Sequence, residues 1–285
     1  MSTLTLVPYH RKHRTAILNL LYYSQRAHVH LDWDRPGQWI EREGVQLMLA
    51  WEGNHLAGFI GLTPPLNGAS WLRLVGLSSR HDGQSVLNML WQGIQPNLQK
   101  SGIEQVAVLV IHHWLEPLLP QLGFRYKEDV VTLYRSEETD MPLPETNSSL
   151  VIQPAYTEHL SQIVSVDNAA FPAPWQMGAS DIHQARRQAS QYMVALTNNR
   201  VVGFQISTRH RGIGHLARLA VHPSMQGHGV GTALVTDMIQ RLQQYDIKAI
   251  TVNTQHSNYQ SQALYRHFDF RRNGLDFPVW TLSVS

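Results

Sequence analysis

Hydrophobic positions in the second half of the chain change between β-rich apolar runs and helically spaced residues, which predicts alternating strands and helices. Two apolar runs at 191–197 and 201–207 flank Asn198-Asn199-Arg200, a pattern typical of a hairpin with a tight turn. The same reasoning predicts strands at 150–153, 215–221 and 249–254, helices at 158–168, 181–189, 230–245 and 258–267, and two closing strands at 268–271 and 277–284.

The first half repeats this order of elements, which favours a duplication over two unrelated domains. Its predicted elements are a strand at 3–7, a helix at 15–25, a hairpin at 46–51 and 55–62, a strand at 70–77, a helix at 84–99, a strand at 106–110, a short helix at 114–121, and a closing pair at 123–125 and 130–134. Residues 136–149 are polar and contain prolines, so they are interpreted as a linker. We expect domains at 1–135 and 150–285.

The order hairpin, strand, helix, strand predicts the α/β class with an α+β mixed sheet. Each of the two tandem domains would hold a mostly antiparallel sheet with helices on both faces. Such a sheet can splay between its fourth and fifth strands and leave a cleft there.

Composition and charge argue against several classes of partner and of chemistry. The chain has 285 residues, 43 % hydrophobic and 15 % charged, with a formal net charge of +2. Lys and Arg are scattered, which argues against a nucleic-acid partner. No apolar run reaches membrane-spanning length and the first residues lack a secretion signal, so a cytoplasmic protein without membrane contact is expected. Zero cysteines exclude thiolate chemistry, and the 16 histidines show no metal-ligand spacing, so no metal is expected.

The segment 221–232 joins an apolar strand directly to an amphipathic helix through Gln226-x-x-Gly229-x-Gly231. Glycine permits a tight turn and a close backbone approach, and the first helical turn leaves about four N–H donors unpaired. With the positive end of the helix dipole, such a turn suits a diphosphate. The alternative is a glycine-rich helix start that binds nothing. The segment is neither a P-loop, since no Gly-Lys-Ser/Thr follows, nor a good dinucleotide fingerprint.

This pattern resembles the signature of the GNAT superfamily of N-acetyltransferases, Gln/Arg-x-x-Gly-x-Gly/Ala, and the preceding Leu219-Ala220-Val221-His222-Pro223 strengthens the likeness. A second family element, Asn-x-x-Ala-x-x-Leu-Tyr-x-x-x-Gly-Phe, corresponds here to Asn258, Ser261, Leu264, Tyr265, Asp269 and Phe270, with two conservative departures. The resemblance covers about 150–285. It implies acetyl-CoA as cosubstrate and an amine as acceptor.

By this resemblance, main-chain groups of Leu219 and Val221 would bind the pantetheine arm, and Asn258 would position the cofactor or its helix. Tyr265 stands at the family's general-acid position, although a tyrosine packed on the sheet is the alternative. His215 stands where some members carry a basic carboxylate, and an imidazole ordinarily titrates near pH 6.5; a strand-end histidine is the alternative. The diphosphate would contact Gln226, Gly227, His228, Gly229, Val230, Gly231 and Thr232.

Within the superfamily, Phe171-Pro172-Ala173-Pro174-Trp175 resembles a segment of the ribosomal-protein alanine N-acetyltransferases that shapes the acceptor site. Those enzymes carry a glutamate twelve residues before the tyrosine, whereas this chain has Asn253. A protein N-terminus is therefore one candidate acceptor among small-molecule, peptide and protein amines. The alternative for this segment is an apolar seal between domains.

The first domain departs further from the family. Arg80-x-x-Gly83-x-Ser85 keeps the outline of the turn, but Leu119 stands where the tyrosine would be. We expect a degenerate copy without catalysis, which supports the active domain or forms one wall of its acceptor cleft. Two rival hypotheses are a catalytically silent CoA-binding sensor or scaffold, and an aminoacyltransferase using charged tRNA, for which the chain lacks a basic stripe. A monomer or homodimer is expected.

Overall fold

The computed structural model describes residues 4–139, 141–145 and 150–284. It divides into two compact units, which are described separately. Unit 1 comprises Met1–Glu128 with Phe277–Ser285, and unit 2 comprises Asp129–Asp276. The predicted linker at 136–149 is not where these units divide; its residues 140 and 146–149 lie outside the described part of the chain.

Unit 1 contains an antiparallel run of strands followed by one parallel neighbour. Antiparallel pairing joins the first, third, fourth and fifth strands of the chain, and the sixth runs parallel to the fifth. The predicted hairpin at 46–62 is confirmed. The elements are β1 (Thr5–Pro8), α1 (Arg14–Tyr23), β2 (Arg26–Val29), α2 (Pro36–Trp39), β3 (Gln46–Glu52), β4 (His55–Leu62), β5 (Ala69–Leu77), α3 (Gly83–Lys100), β6 (Gln105–Leu109) and β7 (Arg125–Ser136).

Two parts of unit 1 differ from the sequence prediction. The short helix predicted at 114–121 is present as two 3-10 turns, Glu116–Leu118 and Pro120–Leu122, rather than as an α-helix. Pro117 and Pro120 explain this, because proline lacks an N–H and disrupts the interior of an α-helix. Strand β2 and helix α2 were not predicted, since each has four residues and no clear period of its own.

Unit 2 repeats this arrangement of strands. The predicted hairpin is confirmed as an antiparallel pair, and the two strands that flank the main helix run parallel. The helix is amphipathic as predicted, and its apolar face is buried at Val230, Ala233, Leu234, Met238 and Leu242. The elements are β8 (Val151–Pro154), α4 (Leu160–Ala170), α5 (Ala179–Gln188), β9 (Gln191–Thr197), β10 (Arg200–His210), β11 (Ile213–Val221), α6 (Val230–Leu242), β12 (Ala249–Gln255) and α7 (Tyr259–Arg266).

The closing strands are exchanged between the two halves of the sequence. The predicted pairs at 268–284 and 123–134 are wrong, because each is one continuous strand, β13 (Arg271–Ser283) and β7. β7 pairs through residues 130–136 with β12, and β13 pairs through residues 279–283 with β6. β7 and β13 thus each pair with a strand that is distant in the sequence.

The predicted splay between the fourth and fifth strands of each domain is confirmed. In unit 2 the parallel pairs of β11 and β12 end at Leu216 and Val252, although β11 continues to Val221. In unit 1 the parallel pairs of β5 and β6 end at Trp71 and Ala107. Both fourth strands also carry a one-residue bulge near this point, at Ala217 and at Arg73, as the registers on either side of them show.

Each unit has a hydrophobic core of its own. In unit 1, α3 packs on the sheet through residues such as Leu87, Leu90 and Ile94, which are fully buried. In unit 2, α6 and α7 cover one face of the sheet, where Met238, Tyr265, Phe268 and Phe270 form the centre of the cluster. No helix in the described part of the chain combines the length and the apolar character needed to cross a bilayer.

Candidate functional site

The site begins at the splayed end of β11. After the bulge at Ala217, the strand stays paired with β10 up to Val221. On the opposite side, no described strand pairs with β11 beyond Leu216. Leu219 and Val221, the predicted pantetheine contacts, therefore lie on a strand edge whose backbone faces the cleft, and both are half-buried. A strand edge of this kind is suited to hydrogen bonding with an extended ligand.

The turn after β11 is a 3-10 segment, Pro223–Met225, followed by exposed residues 226–228. Gly227 and Gly229 both adopt left-handed backbone angles, with φ of +77° and +82°. Side chains rarely adopt this conformation, which explains why glycine stands at both positions. A Cβ built on Gly227 would meet no atom within 4 Å. Ligand atoms can therefore approach this backbone closely.

Helix α6 starts with its backbone donors uncapped. Gly229 is the N-cap and has no side chain to supply an acceptor, and the first helical hydrogen bond runs from the Ala233 amide to the Gly229 carbonyl at 2.9 Å. Since Val230, Gly231 and Thr232 form the first turn, the helix offers no acceptor for their N–H groups. These donors and the helix dipole fit a diphosphate in charge and in hydrogen-bonding type.

Side chains in the turn stabilise its shape. The Gln226 side-chain amide donates to the Val221 carbonyl at 3.2 Å, and Nδ1 of His228 lies 2.9 Å from the Gln226 carbonyl oxygen. Gly231 lies beside α7, since a Cβ there would stand 3.1 Å from Leu264 Cδ2. The last glycine of the motif therefore also serves the packing of α6 on α7.

Helix α7 carries the two predicted residues of the second motif. Asn258 is its N-cap, and its Oδ1 accepts from the Ser261 amide at 3.0 Å. Tyr265 is 4 % exposed and hydrogen-bonds to Ser261. Burial raises the pKa of the Tyr265 hydroxyl above its ordinary value, while the Arg218 charge and the Ser261 bond oppose that rise. At neutral pH this side chain is therefore a protonated phenol.

His215 lies before the splay, in the part of β11 that is still paired with β12. Its Nδ1 is 2.9 Å from the hydroxyl of Thr251, and that hydroxyl is also 3.3 Å from the Gly214 carbonyl. His215 and Gly214 point to opposite faces of the sheet, and the Gly214 face is covered by Leu242 of α6. His215 thus projects away from the face that α6 covers.

Sequence reasoning missed an ion pair next to the cleft. Arg218 of β11 contacts Oδ2 of Asp167 through Nε at 2.7 Å and through a terminal nitrogen at 2.6 Å. The Asp167 side chain has no exposed surface, and burial raises its pKa while the Arg218 charge opposes the rise. One signal was available, because each residue is a charge within an otherwise apolar face of its helix or strand.

Residues 160–270, which contain β11, the glycine turn, α6 and α7, match the model of the acetyltransferase (GNAT) family. Unit 2 therefore contains a domain of the acetyltransferase (GNAT) family. Both motifs that suggested the resemblance lie within the matched residues. Asp269 stands at the position where the GNAT motif has glycine, and it adopts a φ of +59°. Aspartate is one of the few residues that tolerate this conformation, so the departure is compatible with the motif.

Solved structures with the same fold cover nearly all of the chain at low identity. A tandem GNAT protein from the clavulanic acid biosynthesis pathway has a TM-score of 0.66 and 12 % identity, covering 99 % of both chains. A probable N-acyltransferase from Enterococcus faecalis V583 has a TM-score of 0.76 and 10 % identity, covering 100 % of this chain and 73 % of its own. A GCN5-related N-acetyltransferase from Sphaerobacter thermophilus has a TM-score of 0.63 and 14 % identity, covering 99 % of this chain and 96 % of its own. The comparison with curated proteins gives no match.

The GNAT turn has a counterpart in unit 1, but there the helix start is already capped. Asp82 is the N-cap of α3, and its carboxylate accepts from the Ser85 amide at 2.8 Å and from the Ser85 hydroxyl at 2.7 Å. The Ser85 hydroxyl and amide lower the pKa of Asp82. A carboxylate therefore caps the first turn of α3, where α6 has no side-chain cap, and its charge would repel a diphosphate.

Strand β2 pairs with the edge of β5 that corresponds to the open edge of β11 in unit 2. Residues 26–29 pair antiparallel with residues 74–77 of β5, on the side opposite β4. The Arg26 guanidinium reaches the carbonyl oxygens of Ser78 and His81, and it would lie 2.6 Å from a Cβ on Gly83. Both the strand edge and the approach to α3 are thus occupied by the chain itself.

The part of unit 1 that corresponds to the end of α7 keeps a backbone hydrogen bond of unit 2 but lacks the tyrosine. Leu119 is fully buried at the position of Tyr265. The Phe124 amide donates to the Leu119 carbonyl at 3.2 Å, just as the Phe270 amide donates to the Tyr265 carbonyl at 3.0 Å. Unit 1 therefore lacks the phenol at a position where its backbone geometry is retained. Within the described residues of both units, no group of three or more His, Asp or Glu side chains could hold a metal ion.

Proposed function

We propose that unit 2 transfers an acetyl group from acetyl-CoA to a primary amine, which can be a small molecule or a peptide or protein amine. The observation that carries this proposal is the uncapped start of α6, beside a strand edge without a partner. In this assignment the amides and side chains from Gln226 to Thr232 hold the diphosphate, and the backbone of Leu219 and Val221 holds the pantetheine arm. Asn258 acts through the cap that orients α7.

Bound acetyl-CoA would supply an acetyl thioester. We assign Tyr265 as the general acid that protonates the departing thiolate, since burial keeps its hydroxyl protonated at neutral pH. We assign His215 as the base that accepts a proton from the amine, with Thr251 holding its ring.

We infer one cofactor site in each chain, because β2, Arg26 and Asp82 occupy the corresponding places in unit 1. Unit 1 then contributes as a scaffold. The rival function, a CoA-binding sensor without turnover, would use the same turn but would not need an acid at Tyr265. The buried phenol at that position favours an enzyme.

A thiol-release assay tests the activity directly. The chain has no cysteine, so a thiol reagent reports CoA alone without a background from the protein. The acceptor panel is spermidine, glucosamine, lysine and a hexapeptide beginning with alanine, the last chosen for the resemblance of the 171–175 segment to the ribosomal-protein enzymes. The proposal predicts CoA release that depends on one of these amines and is lost in Tyr265→Phe. Tight CoA binding without amine-dependent release from any of the four would favour the sensor.

A further inference from the structure

A chain segment after α4 is tied to the splayed strand by one side-chain pair. The segment is defined here as the 171–177 loop. The Arg218 side chain donates to the Trp175 carbonyl at 2.8 Å, and Oδ1 of Asp167 accepts from the Met177 amide at 2.8 Å. The Arg218 guanidinium also lies 3.6 Å from the centre of the Phe171 ring. Two charged side chains thus hold three points of the loop.

Arg218 stands at the position where β11 leaves β12. It is two residues beyond Leu216, the last residue of β11 paired with β12, and it directly precedes Leu219, which is assigned to the pantetheine arm. Its side chain points to the face of α4, while the Leu219 side chain packs near α6 on the other face. One residue therefore connects the loop to the strand edge where the transfer would take place.

Packing alone does not explain a charged pair at this place. Replacing a buried ion pair with apolar residues of similar volume is often neutral or stabilising, whereas removal of one partner leaves an uncompensated charge. An apolar pair could join α4 to β11 equally well. Such a pair could not direct the Trp175 carbonyl and the Met177 amide, because neither group would find a hydrogen-bond partner in it.

We propose that Arg218 is a positioning residue for acetyl transfer: together with Asp167 it fixes the 171–177 loop against the splayed end of β11, and the fixed loop holds the acceptor amine. This inference rests on the proposed function, and it adds the element that determines acceptor binding. It assigns Arg218 no contact with the reacting atoms. The loop, rather than the cofactor turn, is the part that should respond when the pair is broken.

The test separates acceptor binding from cofactor binding. In Arg218→Met, the KM for the panel amine that the wild type acetylates fastest should rise about tenfold, and kcat/KM should fall about 10²-fold, because a displaced acceptor loses the reactive geometry. The Kd for CoA should change less than about twofold, since the α6 turn is untouched. Arg218→Lys keeps the charge but lacks the forked geometry, so it should recover part of the loss.

A spectroscopic readout follows the loop itself. Incorporation of 5-fluorotryptophan gives one fluorine resonance for each of the eight tryptophans, and Trp175→Phe identifies the resonance of Trp175. This resonance should shift or broaden in Arg218→Met. Arg241→Met is the matched control, because it removes the Arg241–Asp237 pair on α6, away from the loop. It should leave the Trp175 resonance and the acceptor KM unchanged.

The double variant Asp167→Leu/Arg218→Met guards against misfolding, since it leaves no buried charge without a partner. It should fold and bind CoA, but show the raised acceptor KM and the altered Trp175 resonance. An unchanged acceptor KM or an unchanged Trp175 resonance in this variant would overturn the inference alone. A wild-type protein that neither binds CoA nor acetylates any panel amine would overturn the proposed function as well.

Discussion

Helices α6 and α3 begin at equivalent places in the two repeats but present opposite chemistry to a ligand. Gly229 leaves the first turn of α6 without a side-chain cap, whereas the carboxylate of Asp82 accepts from the Ser85 amide of α3. The neighbouring strands differ in the same sense, because β11 has no described partner at its splayed end and β5 is paired there with β2. The two units thus share a backbone arrangement but differ in the groups that they leave open to a ligand.

The difference shows how a binding site can be lost without losing the fold. In unit 1 the chain itself supplies partners at both places: Asp82 accepts from the Ser85 amide of α3, and β2 pairs with residues 74–77 of β5. Buried backbone groups need such partners, so closing the site also stabilises the unit. In unit 2, the start of α6 has no side-chain cap, and no described strand pairs with the β12 side of β11 beyond Leu216.

The largest expected effect concerns the position at which unit 2 has Tyr265 and unit 1 has Leu119. Tyr265→Phe should lower kcat by about 10²–10⁴-fold, because a positioned general acid contributes that much. The Kd for CoA should stay nearly the same. Steady-state kinetics of thiol release and calorimetry with CoA measure the two quantities. Equal kcat in Tyr265→Phe and wild type would remove the acid role, and Leu119→Tyr should add no activity, since unit 1 is closed to the cofactor.

A smaller effect is expected when unit 2 is made to resemble unit 1. Gly231→Ser places in α6 the residue that α3 has at Ser85. Its Cβ would lie 3.1 Å from Leu264 Cδ2, so α6 and α7 must shift slightly, at a cost of about 1 kcal/mol. We expect a modest decrease in Tm and a Kd for CoA weakened by roughly fivefold, measured by calorimetry. A tighter complex than that of the wild type would contradict the packing role of this glycine.

A further prediction concerns stability alone, and it tests how firmly β2 is built into unit 1. His28 of β2 is fully buried, and neither ring nitrogen has a hydrogen-bond partner among the described residues. Burial, assisted by the nearby His30, His112 and Arg73 charges, lowers its pKa from 6.5 to about 3. At a pH between these two pKa values, His28 binds a proton in the unfolded chain but not in the folded chain. Stability conferred by neutral His28 is therefore complete above pH 6.5 and decreases as the pH falls toward 3.

His28→Leu removes this titration. Seven of the eight tryptophans lie in unit 1, so urea unfolding followed by tryptophan emission reports mainly on that unit. Between pH 6 and pH 4, the wild type should lose about 1.4 kcal/mol per pH unit more than His28→Leu. The exposed His113 provides the control variant His113→Gln, which should keep the wild-type slope. Parallel pH profiles for His28→Leu and wild type would show that His28 is not held neutral by the fold.

Local patterns predicted much of the fold and of the candidate site. The hairpins, β11 and the apolar face of α6 follow from short-range periodicity, and the glycine turn follows from backbone requirements at Gly227 and Gly229. What the pattern missed depends on distant partners. β2 is a four-residue strand whose partner residues lie about fifty positions away, and β7 and β13 pair with strands from the other half.

The Arg218–Asp167 pair joins residues 51 positions apart, so no sequence window contains both. Pairwise contacts of this kind depend on how α4 packs on β11, which local periodicity does not determine. The binding and catalytic roles of Tyr265, His215 and the turn residues stay predictions, as do the cytoplasmic location and the resemblance of the 171–175 segment to the ribosomal-protein enzymes.

Calorimetry with CoA tests the central claim most directly, because it counts sites and measures affinity together. The wild type should bind one CoA per chain, and Asp82→Asn should not add a second site, since β2 still fills the edge of β5. Gly229→Asn and Gly229→Asp both tolerate the left-handed backbone, but the second adds a carboxylate at the start of α6. CoA binding should persist in Gly229→Asn and be abolished in Gly229→Asp. Equal affinity in these two variants, or two CoA molecules per wild-type chain, would contradict this prediction.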